Sequence, residues 1–130
     1  MKHFLISLAI TLVSTVTFAH EGHDNAPGSF KSLHGGTVQA GKQLNLEVIV
    51  NGKEVTIYPT SHEGKDVLLQ EVKIEATAKP KKGKSYPVAF TPGKSGLSTM
   101  VDLKGSNRLP VEISVTNHGK TDHFTVQVEE

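Results

Sequence analysis

The residue types that carry metal or proton chemistry cluster in a few short stretches of this chain. Ala19-His20-Glu21-Gly22-His23-Asp24 places two imidazoles and two carboxylates within six residues. Part of that pattern returns at His62-Glu63-Gly64-Lys65-Asp66, and His34-Gly35-Gly36, His118 and His123 supply the other histidines beyond the apolar start. There is no cysteine, which excludes thiolate ligands, cysteine nucleophiles and disulfides. Imidazole and carboxylate are then the main ligands left, a set that suits Cu(II), Zn(II) or Ni(II) better than Cu(I). Met100 is the only thioether after Met1, and its strand phase turns it to solvent.

The start of the chain decides what His20 can do. MKHFLISLAITLVSTVTFA, residues 1–19, has a basic beginning, a short apolar run and small residues at the end, the pattern of a secretory signal peptide. Its apolar run is too short to span a bilayer, so the expected product is exported, periplasmic or secreted, with no membrane span. Cleavage after Ala19 leaves 111 of the 130 residues, enough for one small domain. It also removes Lys2, which leaves 13 of the 14 basic side chains against 13 acidic ones. That balance disfavours a nucleic-acid partner.

With that cleavage His20 becomes the first residue, and its free amine and imidazole form a small chelate ring on one ion. An α-amine with a pKa of roughly 8 gives up its proton when a metal competes for it. His23 and Asp24 are near enough to add ligands, and His34 offers an anchored ligand onto which residues 20–33, read as a flexible leader, fold back. The two glycines after His34 also read simply as a tight turn into the first strand. His20, His23, Asp24 and His34 are the leading metal ligands. His62 and Glu63, with Asp66 in reach of the same ion, are weaker candidates in a polar loop, as are His118 and His123, which converge only if the last loop curls toward the outer face.

Residues 34–130 must position these groups, and their texture is that of strands. Leu44 to Val50, Asn51-Gly52 and Lys53 to Tyr58 read as a hairpin closed by a two-residue turn. Pairing Val50 with Lys53 sets Val48 opposite Val55 and Leu46 opposite Ile57 on one face. Alternation recurs at Val72, Ile74, Ala76 and Ala78; at Tyr86, Val88 and Phe90; and at Leu97, Thr99, Val101 and Leu103. In the last pair Val115 is set against Phe124, with residues 118–121 as a four-residue loop, His123 opposite Thr116, and Asp122 in the other phase. About seven strands and no convincing helix imply an all-β, immunoglobulin-like β-sandwich. Its expected core is Leu46, Val48, Val55, Ile57, Val72, Ile74, Val88, Phe90, Val101, Val111, Ile113, Val115, Phe124 and Val126.

No nucleophile elbow or glycine-rich phosphate loop is present, and the carboxylates occupy ordinary strand and turn settings. Lys79-Pro80-Lys81-Lys82-Gly83-Lys84 reads as a solvated basic turn between strands rather than a contact for an anionic surface.

The His-rich start, the His34-Gly35-Gly36 element and the following Leu46-Glu47-Val48 resemble small periplasmic proteins, and leader modules of periplasmic adaptor subunits, associated with heavy-metal efflux. The likeness covers about a quarter of the chain. The chain also resembles periplasmic copper-resistance β-sandwiches, in which an N-terminal histidine holds Cu(II) together with a later Asp-x-His. His20 matches the first ligand. The later element is here Asp122-His123, with no intervening residue, and neighbours in a strand face opposite ways. What these resemblances imply is a divalent-metal carrier, buffer or resistance accessory, with Cu(II) favoured over Zn(II) or Ni(II), and a metal-efflux component as partner. The rival expectation is a sandwich that docks another envelope protein, its histidines incidental. A copper-dependent enzyme comes third, because the chain has no Trp and only Tyr58 and Tyr86 to build an aromatic platform for a substrate.

Overall fold

A computed structural model describes residues 31–130. The expected signal peptide and the ligands His20, His23 and Asp24 lie outside the described residues.

Among the described residues nine strands form two antiparallel sheets. In chain order they are β1 Thr37–Ala40, β2 Asn45–Asn51, β3 Glu54–Thr60, β4 Val72–Ala78, β5 Tyr86–Val88, β6 Thr91–Pro92, β7 Leu97–Met100, β8 Arg108–Asn117 and β9 Lys120–Glu129, with one turn of 3-10 helix at Leu69–Glu71. The larger sheet has the order β1-β2-β3-β7-β6 and the smaller one β5-β4-β8-β9. Leaving aside β1, an extra edge strand, this is the A-B-E-D and C′-C-F-G arrangement of an immunoglobulin-like sandwich. The expected fold class is therefore met. The two strands beyond the expected seven come from short edge pieces whose few residues carry little alternation.

Both hairpins turn two residues away from the expected register. Asn51 pairs with Glu54 and Val48 with Ile57, so the turn is Gly52-Lys53, with Gly52 at φ 59°. Glycine at the first central position gives a type II′ turn. In the last hairpin Asn117 pairs with Lys120, Ile113 with Phe124 and His123 with Ser114. His118 and Gly119, at φ 48° and 75°, make a two-residue type I′ turn in place of the expected four-residue loop. A slip of two keeps every side chain on its expected face, and most of the expected core forms.

That core contains Leu46, Val48, Val55, Ile57, Val101, Val111, Ile113, Val115, Phe124 and Val126, joined by Leu44, Ala76, Ala78, Leu97, Leu103, Leu109 and Val128. Val72, Ile74, Val88 and Phe90 only pack against its margin, because β5 is a three-residue edge strand and Val72 and Ile74 begin β4. Leu109 stands beside Pro110, a residue that argues against a central strand. Pairing with β4 stops at Ala78 and Val111, so Pro110 lies where no amide hydrogen is required of it on that side.

Two carboxylates are buried, Asp122 on the core side and Glu47 on the outer face of the larger sheet. Asp122 accepts hydrogen bonds from the amides of Lys42, Gln43 and Leu44 at 2.8 to 3.1 Å, tying the β1–β2 turn to β9. The second is Glu47, and it organises the site described next.

Candidate metal centre

All of Leu44 to Val48 is buried, although alternate residues of a strand face opposite sides. Leu46 and Val48 enter the core. Glu47 points to the other face of the larger sheet, where residues 32–36 cross over it. Three donors reach its Oε1: the Ser32 hydroxyl at 2.6 Å, the His34 amide at 2.8 Å and the Gly36 amide at 2.9 Å. Two more reach Oε2: the Leu33 amide at 3.0 Å and His34 Nδ1 at 2.9 Å. The Ser32 hydroxyl in turn accepts from the Gly35 amide at 2.8 Å. Burial raises the Glu47 pKa, but the hydrogen bonds from Ser32, Gly36, His34 and Leu33 outweigh it and bring the pKa down to about 2. Converging amides form a concavity for an anion, filled here by the chain's own carboxylate.

The two glycines after His34 have separate reasons. Gly35 sits at φ 82°, a conformation open to glycine at no steric cost. Gly36 passes so close to β2 that a Cβ would stand 2.6 Å from the Val48 carbonyl oxygen. Together they let the segment bend down onto Glu47.

The clamp also fixes His34. Its ring stacks on Tyr58 with centroids 3.8 Å apart and planes 8° from parallel. Tyr58 pairs with Glu47 across β2 and β3, so one row of the outer face carries both the carboxylate and the ring beneath the imidazole. Gly96 completes the bed: at φ 72°, a Cβ there would lie 2.6 Å from the Tyr58 ring. Because ionised Glu47 can only accept, Nδ1 of His34 carries a hydrogen. Nε2 stands on the other side of the ring, 3.4 Å from Asp66 Oδ1. His34, Tyr58 and Asp66 line a shallow pocket of about 250 Å³ together with Pro59, Lys94 and Gly96.

The remaining sequence candidates disperse. His62 is exposed and donates through Nε2 to the Gly41 carbonyl at 2.9 Å. Glu63 is exposed beside it, while Asp66, grouped with these two in the sequence, joins His34 instead. His123 is exposed and within 3.0 Å of the Ser114 hydroxyl through Nδ1, whereas Asp122 is buried on the opposite face and occupied by three amides. His118 is held in the tight turn. Among the described residues no three His, Asp or Glu side chains gather as a ready metal cage. What the described residues do bring together is the His34 imidazole and the Asp66 carboxylate. Ser32 and Leu33, read from the sequence as the end of a flexible leader, belong to the clamp.

The fold and site define an immunoglobulin-like β-sandwich with an extra edge strand and a buried carboxylate clamp on its outer face. No protein-family profile and no curated protein sequence matches the chain. Among solved structures it is similar to the crystal structure of a DUF4426 family protein from Pseudomonas aeruginosa, with a TM-score of 0.53 and 19% identity, covering 72% of this chain and 96% of that one. At that identity the likeness is one of fold. Among the described residues no helix is long and apolar enough to cross a membrane.

Proposed function

We propose that this is an exported divalent-metal-binding protein, acting as a carrier, buffer or resistance accessory, in which His34 Nε2 and Asp66 supply the anchored ligands and His20, His23 and Asp24 the remainder. The observation that carries this reading is the Glu47–His34–Asp66 line. A carboxylate on Nδ1 fixes the tautomer and orientation of a ligating imidazole and raises its basicity, the usual outer shell of a metal-bound histidine. The 3.4 Å separation of Nε2 and Oδ1 adds support, since two ligands each about 2.1 Å from a tetrahedral ion stand about 3.4 Å apart. A square-planar pair stands nearer 3 Å apart, so the half-site itself suits Zn(II), whereas an N-terminal amine–imidazole chelate on His20 suits Cu(II). A metal-efflux component is the partner to which such a carrier would deliver its ion.

Calorimetric titration of the purified protein with Zn(II), Cu(II) and Ni(II), beside His34→Ala, Asp66→Asn and His123→Ala, tests the reading. Loss of affinity in the first two and none in the third is the expected result. Affinity untouched by His34→Ala removes His34 from the site. No binding by the unaltered protein leaves the sandwich as a docking module for another envelope protein.

A further inference from the structure

A second, unrelated site lies at the end of the smaller sheet, where β4 runs into β5 and β8 begins. An open cleft of about 500 Å³ there is lined by Lys79, Lys81, Ser106, Asn107, Arg108 and Gln127 over Pro110. Every polar side chain in that lining carries a hydrogen-bond donor group, three carry positive charge and none is a carboxylate, with Gln127 Oε1 accepting from Arg108 Nε at 3.3 Å. The backbone around the cleft is fastened: the Lys79 amide donates to the Pro110 carbonyl at 2.9 Å and the Glu130 amide to the Asn107 carbonyl at 3.2 Å.

Charge pairing at this end is incomplete. Lys53 meets Glu130 at 3.5 Å and Lys79 meets Glu112 at 2.7 Å. Lys104 meets Asp102 at 3.1 Å and Arg108 meets Glu129 at 3.5 Å. Lys81, Lys82 and Lys84, on the loop beside the cleft, are exposed and make no ion pair among the described residues. Glu54, next to Lys53, is a further exposed carboxylate near this end, and the cations still outnumber the carboxylates. A chain with a formal charge of only +1 thus concentrates its surplus of cations around one donor-lined cleft. The Arg108 pair is long and its partners are more than half exposed, so its guanidinium is open to a competing oxyanion.

We propose that this cleft binds a phosphate-bearing ligand with an organic portion, either a lipid headgroup or a soluble phosphate ester. Arginine presents paired donors that match phosphate oxygens, lysine adds point charge, and the Ser, Asn and Gln groups complete the shell. The volume points to more than bare phosphate, since clefts of about 300 to 1,000 Å³ are the size that holds small organic ligands.

The test uses the purified protein with glycerol phosphate, with inorganic phosphate, and with phosphatidylcholine vesicles prepared with and without phosphatidylglycerol. Two variants alter the site, the triple change Lys81→Ser, Lys82→Ser, Lys84→Ser and the single change Arg108→Gln, and Lys73→Gln serves as an exposed control on β4. Binding in about 0.05 M salt that weakens about tenfold or more in both site variants, stays unchanged in the control and disappears near 0.5 M salt is the expected result. Binding to phosphatidylglycerol vesicles alone assigns the lipid source, and binding of glycerol phosphate more tightly than inorganic phosphate assigns the soluble one. Absence of binding to all probes, or equal loss in Lys73→Gln, overturns the proposal. Loss in the triple variant without loss in Arg108→Gln also overturns it, because loop charge alone would then account for the binding.

Discussion

Glu47 is a carboxylate with no exposed side-chain surface and five donors, and it makes the outer face of the larger sheet a rigid site. Its pKa is lowered from 4.5 to about 2, so the folded chain holds the ionised form more strongly than the unfolded chain does. The stability this contributes is present above about pH 4.5 and is lost as pH falls from there toward 2, about 3 kcal/mol over the whole interval. Glu47→Gln should cost about 2 to 4 kcal/mol at neutral pH, because an amide NH₂ then faces a donor in place of an acceptor. It should also remove this part of the acid sensitivity. Urea unfolding of both forms at about pH 6 and about pH 2.5 is the measurement, and a gap between them that does not narrow in acid would mean that Glu47 titrates normally. A burial pattern cannot announce such a residue. In Leu46-Glu47-Val48 the alternation is that of an ordinary half-buried strand, and only the segment crossing above it closes the second face.

At the scale of elements, hydrophobic alternation located the long strands and the faces of their side chains, because one buried face imposes a period of two. It did not fix the turns. Asn51-Gly52 admits glycine at either central position, and only the backbone shows that Gly52 takes the first. His118 hid a type I′ turn, since His-Gly is not among the Asn-Gly, Asp-Gly and Gly-Gly pairs that normally signal one. Of the candidate site, His34 and its glycines were legible, whereas the approach of Asp66 to His34 and the stacking of Tyr58 beneath it were not, because pairing across strands is not written in local sequence. Gly52 and Gly96 provide a controlled comparison. Both have positive φ, at 59° and 72°, but nothing lies within 4 Å of a Cβ at Gly52, whereas one at Gly96 meets the Tyr58 ring and the Ile57 carbonyl at 2.6 to 2.7 Å. Gly52→Ala should cost about 1 kcal/mol from backbone strain alone. Gly96→Ala should cost about 3 kcal/mol or more, since a ring and a β3 carbonyl must move as well. Thermal melts separate the two, and equal losses would show that Tyr58 yields freely and is not a fixed bed for His34.

For the whole molecule, the question is whether the folded sandwich and the residues before it make one site or two independent parts. The clamp determines where the chain can be cut. Ser32 and Leu33 bond to Glu47, so a form beginning at residue 31 keeps all five donors, while one beginning at residue 37 leaves a buried carboxylate without them. The first should unfold within about 0.5 kcal/mol of the longer protein, and the second should be destabilised by several kcal/mol, on the order expected for a buried charge stripped of its partners. Metal affinity should divide differently. The form beginning at residue 31 retains only the His34–Asp66 half-site, and each tenfold loss of affinity corresponds to about 1.4 kcal/mol of missing ligation. Its Cu(II) affinity should fall steeply, because the amine–imidazole chelate is gone, while Zn(II) should fall less, because a tetrahedral ion keeps two well-placed ligands. Adding one residue before His20 in the form that begins there separates the amine from the imidazole while leaving every side chain in place. That extension should weaken Cu(II) more than His123→Ala does and leave the unfolding curve unchanged. Calorimetric titration of the three forms decides the matter. Cu(II) affinity unaltered by the extension would mean that the amine–imidazole chelate is not the copper site and leave His34, His62 or the last hairpin as the better candidates, and equal affinity with and without residues 20–30 would separate those residues from the metal site altogether.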